Sequence, residues 1–177
     1  ETHAHADRLS SSQVFKEDFP NAKIAVGELC GSPSNCLRVS THGTQGQDEL
    51  IRALPQVHQT APNTSLIIVG EGPYRKDLTK MVEKLNLSDA VTFIGRIQYK
   101  ELPRYICAGD IFVMPSRSRL AGLEVEGLGI VYLEASSCAL PVIAGRSGGA
   151  PDAVDEGVTG FSVEGTSPSE VSKAIIK

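Results

Sequence analysis

The chain has 177 residues and no basic surplus, no long apolar run and no closely spaced cysteine pair; each absence removes a class of function. Lys and Arg number 17 against 21 Asp and Glu, a formal net charge of −4 at pH 7. Nucleic-acid binders normally carry a basic excess or stripe to pair with phosphates, so no nucleic acid is expected as a partner. The longest clean aliphatic stretches, such as Leu66 to Val69, are far too short to span a bilayer. No charged-then-apolar signal segment opens the chain, so a cytoplasmic, ordered domain is expected. Cys30, Cys36, Cys107 and Cys138 form no C-x-x-C pair, the spacing by which one turn offers two ligands to one zinc ion. Cys30 and Cys36 with His42 are the only metal candidate, a weak one by spacing. Buried free thiols and no metal are expected.

What is present divides near residue 45. Before it periodicity is poor, three of the four histidines lie there, and clusters such as Ser10-Ser11-Ser12 and Gly31-Ser32-Pro33-Ser34 recur. Strands are expected there around Ile24 to Val26 and Leu37 to Val39. Beyond it, Gln47 to Gln59 sets Leu50, Ile51, Leu54 and Val57 at helical spacing. Ser65 to Val69 is a continuous apolar run closed by Gly70, the mark of a strand buried on both faces. Helices then alternate with strands: Pro73 to Leu85, Val91 to Ile94, Lys100 to Ala108, Ile111 to Met114, Ile130 to Ser137, Pro141 to Ala144, a helical turn at Ala150 to Val154, Gly160 to Val163 and Pro168 to Ile176. This alternation predicts an α/β fold, a Rossmann-like parallel sheet with helices on both faces.

Right-handed crossovers put every strand's carboxyl end on one edge, where ligands of such sheets bind. The residues falling there are Gly70-Glu71-Gly72, Gly95-Arg96, Pro115-Ser116-Arg117-Ser118-Arg119 and Gly145-Arg146-Ser147-Gly148-Gly149. Glycines allow close backbone approach, and arginines and serines supply donors to anionic oxygens, so a phosphate-bearing ligand fits. The strongest local signal is Gly122 to Ala135, a glycine loop that opens a helix. Free N–H groups around Gly127, Leu128, Gly129, Ile130 and Val131 can face a diphosphate. Glu126 precedes that helix, and Glu134 lies a little over one turn inside it, placed to accept two hydrogen bonds from a ribose diol. A solvated acidic loop before an ordinary core helix is the competing reading.

Glu126 and Glu134 match the E-x7-E element of the family 4 glycosyltransferases, retaining enzymes of the GT-B fold, and from Gly46 to Lys177 the chain resembles that family. The resemblance rests also on Gly46-Gln47-Asp48, Leu66 to Pro73, Phe93-Ile94-Gly95-Arg96, Pro141 to Ala144 and Ser147-Gly148-Gly149. The stretch from Pro115 to Glu134 is most similar to the actinobacterial phosphatidylinositol mannosyltransferases, which use GDP-mannose. The resemblance implies the carboxy-terminal, donor-binding half of a two-domain enzyme, with the acceptor-binding half and its membrane-facing surface absent from this chain. On that footing residues 1–36 are a poorly matched linker segment, and 37–177 are the nucleotide-sugar-binding domain, truncated at its carboxyl end. Gly95, Arg96 and Ile97 would hold the base, Glu134 the ribose, the loop amides the diphosphate and Glu126 the transferred sugar. No metal is implied, since fixed charge and amide dipoles stabilise the leaving group. The full-length protein is expected in the cytoplasm, peripheral to the inner face of the plasma membrane.

The chain departs from that family where an arginine and a lysine normally clamp the diphosphate: here stand Ser40 and Gln45. Arg38, two residues earlier and so on the same face of a strand, is a candidate replacement. Arg38 and Gln45 are candidates for phosphate or acceptor contact, as are Arg117 and Arg119, for which a solvated loop is the alternative, and Tyr132, beside Val131 and Leu133, is read as packed. His42 and His58 are read as surface residues. The isolated chain is expected to be inactive. The alternatives are a degenerate nucleotide-binding module without catalysis and a sugar-nucleotide epimerase, which lacks the arginine-bearing loop. A dinucleotide-dependent dehydrogenase is rejected because Arg75 stands where the third glycine belongs.

Overall fold

A computed structural model describes residues 22–27, 45–123 and 125–177. Six strands, β1 (Ala22–Gly27), β2 (Ser65–Val69), β3 (Val91–Gly95), β4 (Ile111–Met114), β5 (Val142–Gly145) and β6 (Gly160–Val163), form one parallel sheet in the order β3-β2-β1-β4-β5-β6. Five helices accompany them: α1 (Gln47–Thr60), α2 (Arg75–Lys84), α3 (Leu102–Ile106), α4 (Ile130–Ser137) and α5 (Pro168–Ile176). Strand order reverses where β1 is flanked by β2 and β4, and a crevice opens beyond the carboxyl ends at such a point.

Both faces of the sheet are buried, and the period-two geometry of a strand decides which residue goes where. Leu66, Ile68, Val113 and Ile143 turn to one face, against Leu50, Ile51, Leu54 and Val57 of α1, Leu78 and Val82 of α2 and Val171 and Ile175 of α5. Their neighbours Phe112, Met114, Val142 and Ala144 turn to the other, against Leu102 and Ile106 of α3 and Val131, Tyr132 and Ala135 of α4. Ile67 and Val69 meet Ala108 in a smaller cluster. A strand apolar at every position is thus explained by two helical layers rather than one.

Several expectations change in detail. The helix expected from Pro73 begins at Arg75, because the Arg75 N–H bonds to the Gly72 carbonyl at 3.2 Å and closes a turn with Pro73 at its second position, where a fixed φ is favoured. A 3₁₀ turn, Tyr99–Glu101, precedes α3; Gln98 and Glu101 cap it reciprocally, and Pro103 sits in the first turn of α3. Strand β1, the centre of the sheet, falls within the segment 1–36 read as a linker. The strand at Leu37 to Val39 and residues Arg38, Ser40 and His42 lie outside the described residues. His58 is half-buried rather than a surface residue, its Nε2 2.9 Å from the Thr64 carbonyl across the end of α1.

Free thiols were expected, but Cys107 and Cys138 form a disulfide. Each is the residue just after a helix, α3 and α4, and the packing of those helices brings the two Cα atoms to 5.6 Å, within the usual range. They lie 31 residues apart in sequence, a separation that no spacing rule detects.

Truncating the α1 seam tests this layering. Leu54→Ala, at a fully buried position, is expected to cost about 3 kcal/mol, whereas Val158→Ala, at 77% exposure, changes stability by less than about 0.5 kcal/mol. Chemical denaturation of the two variants checks the contrast.

Candidate functional site

The site begins where β4 ends. Pro115 and Ser116 leave the sheet through a gap kept open by glycine: a Cβ on Gly46 would lie 2.0 Å from the Pro115 carbonyl oxygen, and on Gly145 or Gly165 it would lie 1.8 or 2.3 Å from that of Ser116. Gly46 also needs its left-handed backbone, φ 74°, to start α1. No side chain fits at these positions without moving the chain that carries the site.

Arg117, a candidate for phosphate or acceptor contact or for a solvated loop, is bonded within the protein. Its Nη2 donates to Asp48 Oδ2 at 2.8 Å and its Nη1 to Glu49 Oε1 at 3.2 Å, while Tyr74 donates its hydroxyl to Asp48 at 3.1 Å. These groups join the loop after β4 to the first turn of α1. Burial pushes the Glu49 carboxyl up, the charge of Asp48 adds to that, and Arg117 and Arg52 oppose it.

From Arg117 the loop makes an exposed excursion, with Leu120, Ala121 and Gly122 at φ of 49°, 52° and 91°. It returns to dock on the turn after β5. Glu126 N donates to Ser147 Oγ at 3.0 Å, Gly149 N donates to the Gly127 carbonyl at 3.1 Å, and a Cβ on Gly148 would lie 1.8 Å from the Glu126 carbonyl oxygen. Ser147-Gly148-Gly149 is therefore the bed on which the glycine loop lies. Above Gly127 there is open space.

The N–H groups of Gly127, Leu128, Gly129, Ile130 and Val131 meet no acceptor among the described residues, and α4 starts from Gly129 without a side-chain cap. Ile130 and Val131 open α4, at the positive end of its dipole. Glu126 is half-buried and accepts from Ser116 Oγ at 3.3 Å. Glu134 accepts from the Tyr99 hydroxyl at 2.8 Å on Oε1, while its Oε2 is buried without a partner among the described residues. Buried acceptors are normally satisfied, so the unpartnered Glu134 oxygen marks this helix as a candidate ligand contact.

The segment after β3 approaches α4 through Tyr99. Gly95, at φ 80°, ends β3 with its carbonyl taken by Gly70 N at 2.9 Å; Arg96 is exposed, with no partner among the described residues, and Ile97 packs beneath. Sequence reading missed Tyr99, whose exposed ring carries this segment to Glu134; an isolated tyrosine gave no signal. Tyr132 is packed as expected, but its hydroxyl bonds to Met114 and Ser116, and burial raises its ionisation well above the usual tyrosine value. Gln45 is half-buried at a bend before α1, and Arg119 is half-buried in the exposed loop. Among the described residues no group of His, Cys, Asp or Glu is arranged to hold a metal, and no helix is long and apolar enough to cross a membrane.

The doubly wound parallel sheet defines an α/β domain whose glycine loop and Glu126 lie at the carboxyl edge of the sheet, where ligands of such folds bind. The family model "Glycosyl transferases group 1" matches residues 40–177, and the chain belongs to that family. It is 51% identical over 131 residues to a GDP-mannose-dependent alpha-(1-6)-phosphatidylinositol monomannoside mannosyltransferase of Mycolicibacterium smegmatis, covering 74% of this chain and 34% of that protein. It is 34% identical over 169 residues to the sulfoquinovosyl transferase SQD2 of Arabidopsis thaliana, covering 94% and 30%. Among solved structures, Anabaena Alr3699/HepE in complex with UDP and glucose superposes with a TM-score of 0.74 at 26% identity, over 94% of this chain and 42% of that one. The chain spans about a third of the length of its curated relatives.

Arg117→Gln removes the cation bonded to Asp48 and leaves Glu49 only its longer contact with Arg52 at 3.9 Å, and it is expected to destabilise the fold by about 3 kcal/mol near neutral pH. Because the native Glu49 carboxyl is raised above its ordinary 4.5, its protonated form favours the folded state, and that contribution is complete below 4.5 and lost as pH rises through the native value. The variant's deficit therefore shrinks as pH falls toward 4.5 and below, which urea denaturation across pH measures.

Proposed function

We propose that the chain is the donor-binding half of a retaining glycosyltransferase that transfers mannose from GDP-mannose to a phosphatidylinositol-type lipid. The observation that carries this reading is the buried, unpartnered Oε2 of Glu134 beside the free amides from Gly127 to Val131. A pentose hydroxyl satisfies the first, and a diphosphate satisfies the second. Gly95, Arg96 and Ile97 take the base, with Tyr99 at the rim of that subsite. The relatives named for GDP-mannose support this base and sugar.

In the reaction the anomeric C–O bond to the diphosphate breaks, a bond to the acceptor hydroxyl oxygen forms on the same face, and that hydroxyl gives up its proton. Negative charge grows on the departing diphosphate, so preorganised amide dipoles accelerate the step, and the reading needs no metal. Glu126 contacts the transferred sugar. The acceptor and the membrane surface belong to a second half that this chain does not contain, placing the full-length protein at the cytoplasmic face of the membrane. The uncharged Gln45, with Ser40, leaves the diphosphate short of cationic clamps, so this chain binds donor weakly and by itself transfers nothing.

Ligand-observed NMR titration with GDP tests the proposal. Glu134→Gln is expected to weaken GDP binding by about tenfold or more, the worth of a charge-assisted hydrogen bond, with UDP bound less well than GDP by the parent chain. No GDP binding, or a Glu134→Gln variant that binds equally well, would falsify it. Binding retained, with no transfer once an acceptor half is joined, would favour a non-catalytic module, the reading that Gln45 supports.

A further inference from the structure

We infer that Ser116 and Tyr132 are positioning residues that aim the Glu126 carboxylate at the transferred sugar, an inference that rests on the proposed donor site. The observation is a file of polar groups running through an apolar layer. Tyr132 is fully buried, meets Phe112 edge-on with ring centroids 6.0 Å apart, and donates its hydroxyl to the Met114 carbonyl at 2.8 Å. Ser116, also fully buried, lies 2.9 Å from that hydroxyl and donates to Glu126 Oε2 at 3.3 Å. The Met114 carbonyl and the Glu126 carboxylate can only accept, so two hydroxyl protons serve three contacts and one of them is shared. Removing either hydroxyl reorders the whole file.

The Glu126 backbone is fixed separately. Ser147 takes its N–H at 3.0 Å, and Gly148 lies against its carbonyl. With the backbone pinned, the remaining freedom is the direction of the carboxylate, and Ser116 is the group bonded to it among the described residues. Tyr132 also holds the loop from the other side: its ring fills the space a Gly129 side chain would need, 2.4 Å from the Cβ position. One buried tyrosine thus supports both the amide loop, through its ring, and the acidic residue before it, through its hydroxyl. The two roles separate on removal of the oxygen alone.

The test uses the difference between two ligands. GDP lacks the sugar and GDP-mannose carries it, so the ratio of their dissociation constants isolates what Glu126 contributes. For the wild-type chain, Ser116→Ala, Tyr132→Phe, Glu126→Gln and the double variant Ser116→Ala/Glu126→Gln, both ligands are titrated by ligand-observed NMR, and melting curves establish folding. The wild type is expected to prefer GDP-mannose. Ser116→Ala and Tyr132→Phe each reduce that preference by about threefold or more while GDP affinity stays within about twofold. The double variant falls no further than Glu126→Gln, since the two residues act as one unit. Equal weakening of both ligands would mean the file merely fills the core, and an unchanged ratio would overturn the inference directly. A wild type with GDP bound and no preference for GDP-mannose removes Glu126 from the sugar and overturns this inference while leaving the donor site standing. A wild type that binds no GDP overturns the donor site itself. Should Tyr132→Phe fail to fold, Ser116→Ala decides the matter.

Discussion

The close passage of Pro115 and Ser116 between Gly46, Gly145 and Gly165 is the constraint on which the rest of the structure depends. Hypothetical Cβ distances of 2.0, 1.8 and 2.3 Å at these glycines leave no room for even a methyl group. Because the chain is held there, Ser116 arrives beneath Glu126 and Arg117 beside Asp48 and Glu49. Loops that carry function are precise only when a rigid scaffold fixes their ends. Here one end is clamped by the sheet and the other lies on the Ser147-Gly148-Gly149 turn.

That scaffold leaves unpaired polar groups on the loop into α4 and on α4 itself. Five consecutive amides and one buried carboxylate oxygen stay without partners among the described residues. The Glu134 oxygen is buried, whereas Gly127, Leu128 and Ile130 are exposed, so the loop amides lie open at the carboxyl edge of the sheet, where ligands of such folds bind. Leu128 on the loop and Ile130 and Leu133 on α4 are exposed apolar side chains.

Much of this was legible in the sequence. Ser65 to Val69 reads as a strand buried on both faces and Ile111 to Met114 as a strand, and the eight-residue step from Glu126 to Glu134 marks a loop and helix at the candidate site. What could not be read depends on partners distant in sequence. Arg117 meets Asp48 from 69 positions away, a choice fixed by how β4 and α1 lie together rather than by local pattern. The disulfide arises in the same way from two helix ends side by side. Tyr132 shows the limit from another side. Its apolar neighbours correctly implied packing, yet a buried phenol also requires a hydrogen-bond partner, and that requirement pointed to a polar file no periodicity could trace.

The central claim is that the amides leading into α4 form an anion cradle with Glu134 at its side. Backbone amide chemical shifts recorded while GDP is added test it most directly. The account predicts saturable shifts at Gly127, Leu128, Gly129, Ile130 and Val131, with Gly157, ahead of β6 at the opposite edge of the sheet, unmoved. Shifts that saturate elsewhere while those five amides stay still would contradict it.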